Sequence, residues 1–137
     1  MTVRLNDYHD LPVIQALYEA SGKHVPPFSW AGDWTGWWLI AEDAQRAPLG
    51  CVQLRPSVPM ATLELLCIPA CLTKRQKVAV IKTLLRNAIL RLAGLGATVI
   101  QFCINENREQ WAHIARRYGA VLYSPYPSYT LRITPCS

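Results

Sequence analysis

Between residues 62 and 119 the chain reads as a strand, a basic loop, a long helix, a strand and a helix, and the last helix ends at a glycine that opens another strand. No other feature constrains the fold as much. Two strands joined through a helix cannot form a hairpin, so residues 62–68 and 97–104 are expected to run parallel. The second of these, Ala97-Thr98-Val99-Ile100-Gln101-Phe102-Cys103-Ile104, is β-branched and nearly all apolar, as a central strand covered on both faces would be. The connecting helix is expected over 73–93. Ile81, Leu84, Leu85, Ala88 and Leu92 form one stripe, Lys82, Arg86 and Arg91 lie elsewhere, and Gly94 and Gly96 stop it.

The N-terminal half alternates differently. Thr2 to Leu5 reads as a short strand, followed from about Asp7 or Asp10 by a helix whose Leu11, Ile14, Leu17 and Tyr18 keep helical spacing until about Gly22. Pro26 and Pro27 remove donors and impose an extended path, so a loop follows. Residues 37–41 and 49–54 then read as a hairpin around a polar turn at 42–48, and 60–68 as a third antiparallel strand with Glu64 among leucines. A last helix is expected over 105–118, with final strands at 120–123 and 129–133.

With 137 residues, 51% of them apolar and 17% charged, the whole chain, residues 1–137, is expected to form a single domain. No apolar run approaches the roughly 20 residues of a membrane span, and the first residues lack the apolar stretch of a signal peptide, so a soluble, cytoplasmic protein without a membrane partner is expected. Five cysteines without regular spacing fit a reducing compartment. Cys67 and Cys71 have no second Cys/His pair at zinc-finger spacing, so no metal is expected.

The net charge of +5 implies an anionic ligand or partner, and nine of the fourteen Lys and Arg residues fall within 74–91 and 108–117. Thr73-Lys74-Arg75-Gln76-Lys77 puts three cations at the start of a helix. A helix start already presents unpaired N–H groups and a positive dipole end, which suits a phosphate-bearing cofactor.

The β-α-β-β-β-α-β-α-β-β order with its basic loop resembles the GNAT superfamily of acyl-CoA-dependent N-acetyltransferases over nearly the whole chain. Trp38-Leu39-Ile40-Ala41-Glu42-Asp43 with Gly50-Cys51-Val52-Gln53-Leu54 is similar to its central hairpin, and Arg117-Tyr118-Gly119-Ala120-Val121-Leu122 to its closing helix–Gly–strand segment. The resemblance implies an α+β fold of the α/β type: a mixed, mostly antiparallel sheet of six or seven strands with helices on both faces, splayed between the fourth and fifth strands. Those strands would be 62–68 and 97–104, with the pantetheine arm of acetyl-CoA in the gap. The implied activity is transfer of an acetyl group from acetyl-CoA, as co-substrate, to an amine on a small molecule or a protein. A homodimer is compatible with it.

The family's cofactor motif, Q/R-x-x-G-x-G/A, aligns with Gln76-Lys77-Val78-Ala79-Val80-Ile81, so both glycines are replaced; a register starting at Arg75 leaves Val78 and Val80 in their places. A Cβ there pushes a phosphate away or bends the loop. Ala79 costs little, and Ile81 is tolerable only if it faces the core. The resemblance carries cofactor binding onto Cys67, Ile68, Lys74, Arg75, Gln76, Lys77, Val78 and Ala79, and onto Asn105 and Asn107, which lie where family members often place an asparagine that contacts the cofactor arm; capping of the last helix by Asn105 is an equal account.

The resemblance also makes Glu64 the general base, since family members often place a carboxylate on that strand near the acyl group. Its bland alternative is a solvent-side residue on an alternating strand. The family's usual acid is a tyrosine four residues before the closing glycine, a position held here by Ala115, with Tyr118 about a turn beyond. Phe28, Trp30 and Trp34 belong to an aromatic segment that would help wall the acceptor site, while Trp38 is expected in the core. Two alternatives stand beside the enzyme: a catalytically silent binding module, and a nucleic-acid-binding or nucleic-acid-modifying member, suggested by the charge and the tryptophans.

Overall fold

The computed structural model describes residues 1–22, 36–103, 113–114, 116–117, 119, 121–123 and 128–132. The elements in chain order are β1 (Thr2–Leu5), α1 (Leu11–Ala20), β2 (Trp37–Glu42), β3 (Pro48–Arg55), β4 (Met60–Cys67), α2 (Lys74–Gly94), β5 (Val99–Cys103), β6 (Val121–Tyr123) and β7 (Ser128–Arg132). The expected elements that fall on described residues recur with ends shifted by a residue or two, and the last helix, expected over 105–118, lies largely outside the described residues. They group into two compact units, Met1–Leu54 with Leu65–Ala88, and Arg55–Glu64 with Ile89–Ser137. Among the described residues no helix is long and apolar enough to cross a membrane.

In the first unit β1 pairs antiparallel with β2, and β2 with β3. Trp38 stands opposite Gln53 and Ile40 opposite Cys51, so these four share one face. There Ile14, Leu17 and Tyr18 of α1 pack in one cluster with Trp38, Ile40, Cys51 and Cys67. Each buried side chain of this size contributes roughly 1.5–3 kcal/mol. Pro12 at the start of α1 has its backbone angle preset for a helix, and Gly22, with φ of +83°, takes the left-handed conformation just beyond its end. The opposite face carries Gly50, where an added Cβ would lie 3.0 Å from both the Cys67 carbonyl oxygen and Val80 Cγ1 of α2. Helices therefore cover both faces of this part of the sheet, and Gly50 lets α2 approach.

The turn between β2 and β3 is shorter than the sequence suggests. Glu42 is no turn residue: it ends β2 and is buried, and Pro48 already belongs to β3. The cause is Arg4 on β1. Its Nε donates to Glu42 Oε1 at 2.7 Å, and its two Nη groups donate to both oxygens of Asp10, at 2.6 and 2.8 Å. Asp10 stands at the cap position of α1 without capping it; its carboxylate instead accepts from Arg4 and from the Asp7 N–H. Arg4 beside it holds the Asp10 carboxyl below its ordinary value, against the opposing pull of burial.

In the second unit β4 and β5 run parallel, as their helical connection requires, from Met60↔Val99 to Leu63↔Phe102. β7 pairs antiparallel with β5 and with β6. Among its described residues, Ala61, Leu63, Leu92, Ala97, Ile100 and Ile114 are buried and apolar. The sheet is thus mixed and mostly antiparallel, as expected. The described pairing of β4 with β5 stops at Leu63, whereas β4 continues to Cys67.

A candidate cofactor and acceptor site

The start of α2 is built by a reciprocal cap. Thr73 Oγ1 accepts from the Gln76 N–H at 3.3 Å, and Gln76 Oε1 accepts from the Thr73 N–H and hydroxyl, both at 2.9 Å. Lys77 N–H closes the first helical bond to the Thr73 carbonyl at 2.9 Å. The amides of Lys74 and Arg75 have no partner among the described residues. No acidic residue lies in this turn; Lys74 and Arg75 are exposed and Lys77 is half-buried. Unpaired amides with three cations make the turn receptive to an anion of pyrophosphate type.

Ala79 is exposed, while Val80 and Ile81 are buried. Ile81 therefore faces the core, the condition under which the missing second glycine is tolerable. Gln76, the one residue that matches the family motif, has its side-chain oxygen engaged in the cap. The Thr-x-x-Gln spacing announces this in the sequence and was the signal available for it. Cys67 is buried and its thiol donates to the Leu65 carbonyl at 3.4 Å, and Ile68 and Val78 are half-buried.

Glu64 lies one residue past the last described β4–β5 pair. It is neither an open surface group nor a core residue: its side chain is 33% exposed, and its Oε2 lies 2.9 Å from Nε of Arg55, a residue that no sequence pattern singles out. Leu65, the next residue, has φ of +47°, a left-handed conformation costly for a residue with a Cβ, and the in–out alternation of β4 breaks there. Phe28, Trp30, Trp34, Asn105, Asn107, Ala115 and Tyr118 lie outside the described residues.

The sequence matches no family model and no curated protein. Solved structures do resemble it. YhbS of Escherichia coli, a GNAT family N-acetyltransferase in complex with CoA, superposes with a TM-score of 0.71 at 15% identity, over 97% of this chain and 81% of that one. A GNAT family acetyltransferase from Brucella melitensis in complex with acetyl-CoA gives 0.69 at 18%, over 99% and 90%. The spermidine/spermine N-acetyltransferase SpeG of Vibrio cholerae, in mutant forms, gives 0.71 at 17%, over 96% and 92%. The chain has the GNAT fold. Within the GNAT fold, β4 is the strand that bears Glu64 and leads through the loop at 68–73 into the basic start of α2.

Proposed function

We propose that the protein is an N-acetyltransferase that uses acetyl-CoA and an amine acceptor. The observation that carries this reading is the start of α2: a capped, acid-free first turn with three cations and two amides that have no partner among the described residues, on a fold whose solved examples include CoA and acetyl-CoA complexes. Lys74, Arg75 and Lys77 would hold the phosphates together with the amides of Lys74 and Arg75. Cys67, Ile68, Val78, Ala79, Asn105 and Asn107 complete the proposed cofactor residues, and Phe28, Trp30 and Trp34 the acceptor wall.

When bound, acetyl-CoA supplies a thioester whose carbonyl carbon a free amine attacks; the C–S bond breaks, and the departing thiolate takes up, through water, the proton that the nitrogen sheds on becoming an amide. Glu64 makes the amine free by accepting the ammonium proton. Arg55 Nε already engages Oε2, so Oε1 is the oxygen assigned to that proton.

Calorimetric titration with CoA and acetyl-CoA tests the reading. Saturable binding and a melting temperature that rises with ligand are expected, because a ligand held only by the folded state stabilises it by mass action. No heat and no shift at millimolar CoA would overturn it. A catalytically silent binding module is the second reading, favoured by the commitment of Gln76 to the helix cap. CoA binding without transfer to any amine would select it.

A further inference from the structure

Arg55 and Glu64 belong to the same compact unit and touch through one contact, Nε to Oε2 at 2.9 Å. That contact engages one of the five N–H donors of a guanidinium. Arg55 makes no other polar contact among the described residues, and more than half of its side chain is exposed. Its two Nη groups therefore remain as a planar fork, the shape that grips a carboxylate bidentately. Glu64 is the only acid among the described residues of its unit. Over residues 55–64 and 89–137 the sequence has six arginines and three glutamates. Such a field attracts an acceptor that carries negative charge and disfavours a polycation.

The geometry points to an acceptor that carries both charges: an α-amino acid, or an amine with a carboxylate within a few bonds of its nitrogen. Its ammonium sits on Glu64 and its carboxylate on the Nη fork of Arg55. This deepens the acyltransferase reading and rests on it. Before substrate arrives, the two side chains neutralise each other. A zwitterion adds two pairs to that one, so neither protein charge is left bare when water is displaced. An acceptor without the carboxylate leaves the Arg55 fork unanswered.

The test is calorimetric titration of the CoA-saturated protein with L-amino acids spanning small, aromatic and acidic side chains, each beside its α-amide, and with spermidine. We expect at least one amino acid to bind about tenfold or more tightly than its amide, with spermidine weaker than that acid. Arg55→Ala should weaken the acid relative to the amide and so erase most of the preference, and Arg55→Lys should restore only part of the difference because it lacks the fork. Acid and amide bound alike in every pair, spermidine bound tightest, or an equal loss of acid and amide in Arg55→Ala would overturn the inference. Failure of CoA to bind removes the acyltransferase reading and this inference together; CoA binding without an acid-over-amide preference removes this inference alone.

Discussion

Two arginines in this molecule hold carboxylates at nearly the same distance and in different surroundings. Arg4 reaches Asp10 at 2.6 Å and Glu42 at 2.7 Å, and those two carboxylate side chains are only 8% and 7% exposed. Arg55 reaches Glu64 at 2.9 Å, but the two side chains are 55% and 33% exposed. Distance alone would rank them as equals. Burial separates them, since removing a charge from water is costly and the partner must compensate, whereas an exposed pair exchanges one hydrated state for another at little net gain. The Arg4 cluster ties β1, β2 and the start of α1 together, and both of its carboxylates are buried. Arg55 and Glu64 are held loosely enough to be used.

The largest effect expected from breaking this contrast is kinetic. Glu64→Gln should lower kcat about 10²–10⁴-fold, as expected for loss of a general base. Its unfolding free energy should stay within about 0.5 kcal/mol of the parent, because the replaced group is half-exposed. The pH–rate profile should lose its acidic limb. Full activity in the variant would show that the amine arrives already deprotonated, and would reduce Glu64 to a half-buried partner of Arg55.

Next comes Arg4→Ala, which leaves two buried carboxylates without their cation and should cost about 3 kcal/mol of stability. A urea titration would read it as a lower midpoint at unchanged slope. A change of less than about 1 kcal/mol would mean that water reaches Asp10 and Glu42, and the contrast between the clusters would collapse.

Acid sharpens the same comparison. Asp10 has a folded-state value below its ordinary 3.8, chiefly because Arg4 hydrogen-bonds to it. A depressed carboxyl contributes stability that is fully present above its unfolded value and is lost as the pH falls through the folded one. Stability should therefore hold from neutrality to about pH 4 and decline below it. In Arg4→Ala the depressing partner is gone and burial is the largest influence left, and burial favours the neutral acid. The deficit of the variant should then narrow on acidification. A constant gap between the two proteins from pH 7 to pH 3 would show that Asp10 draws nothing from Arg4.

Much of the fold was legible because it rests on local patterns. The stripe Ile81, Leu84, Leu85, Ala88 and Leu92 set the phase of α2, and that phase also required Ile81 to face the core, where it is found. The helical connection set β5 parallel to β4. The Arg4 cluster was illegible for the opposite reason. Its partners are 6 and 38 residues away, and hydrophobic periodicity carries no information about which distant polar groups meet. The pairing of Arg55 with Glu64 was illegible likewise: it depends on how the connection at 56–59 returns the chain, not on any repeat along β3. The cap of α2 is legible in the sequence, because Thr73 and Gln76 stand at capping-box spacing inside the basic run.

The smallest effect is the most discriminating. Arg55→Ala should change the unfolding free energy by less than about 1 kcal/mol, because Glu64 keeps water as a partner once the guanidinium is gone. What difference exists should fade in roughly 1 M salt, where the screening length falls to about 3 Å and exposed charges scarcely sense each other. Arg4→Ala should keep most of its deficit under the same conditions, since mobile ions screen buried pairs far less. Denaturant titrations of both variants at low and high salt give four numbers that test the whole contrast. If Arg55→Ala proves as costly as Arg4→Ala and as resistant to salt, the Arg55–Glu64 pair is a structural tie. Its Nη fork would then have no freedom to meet a substrate.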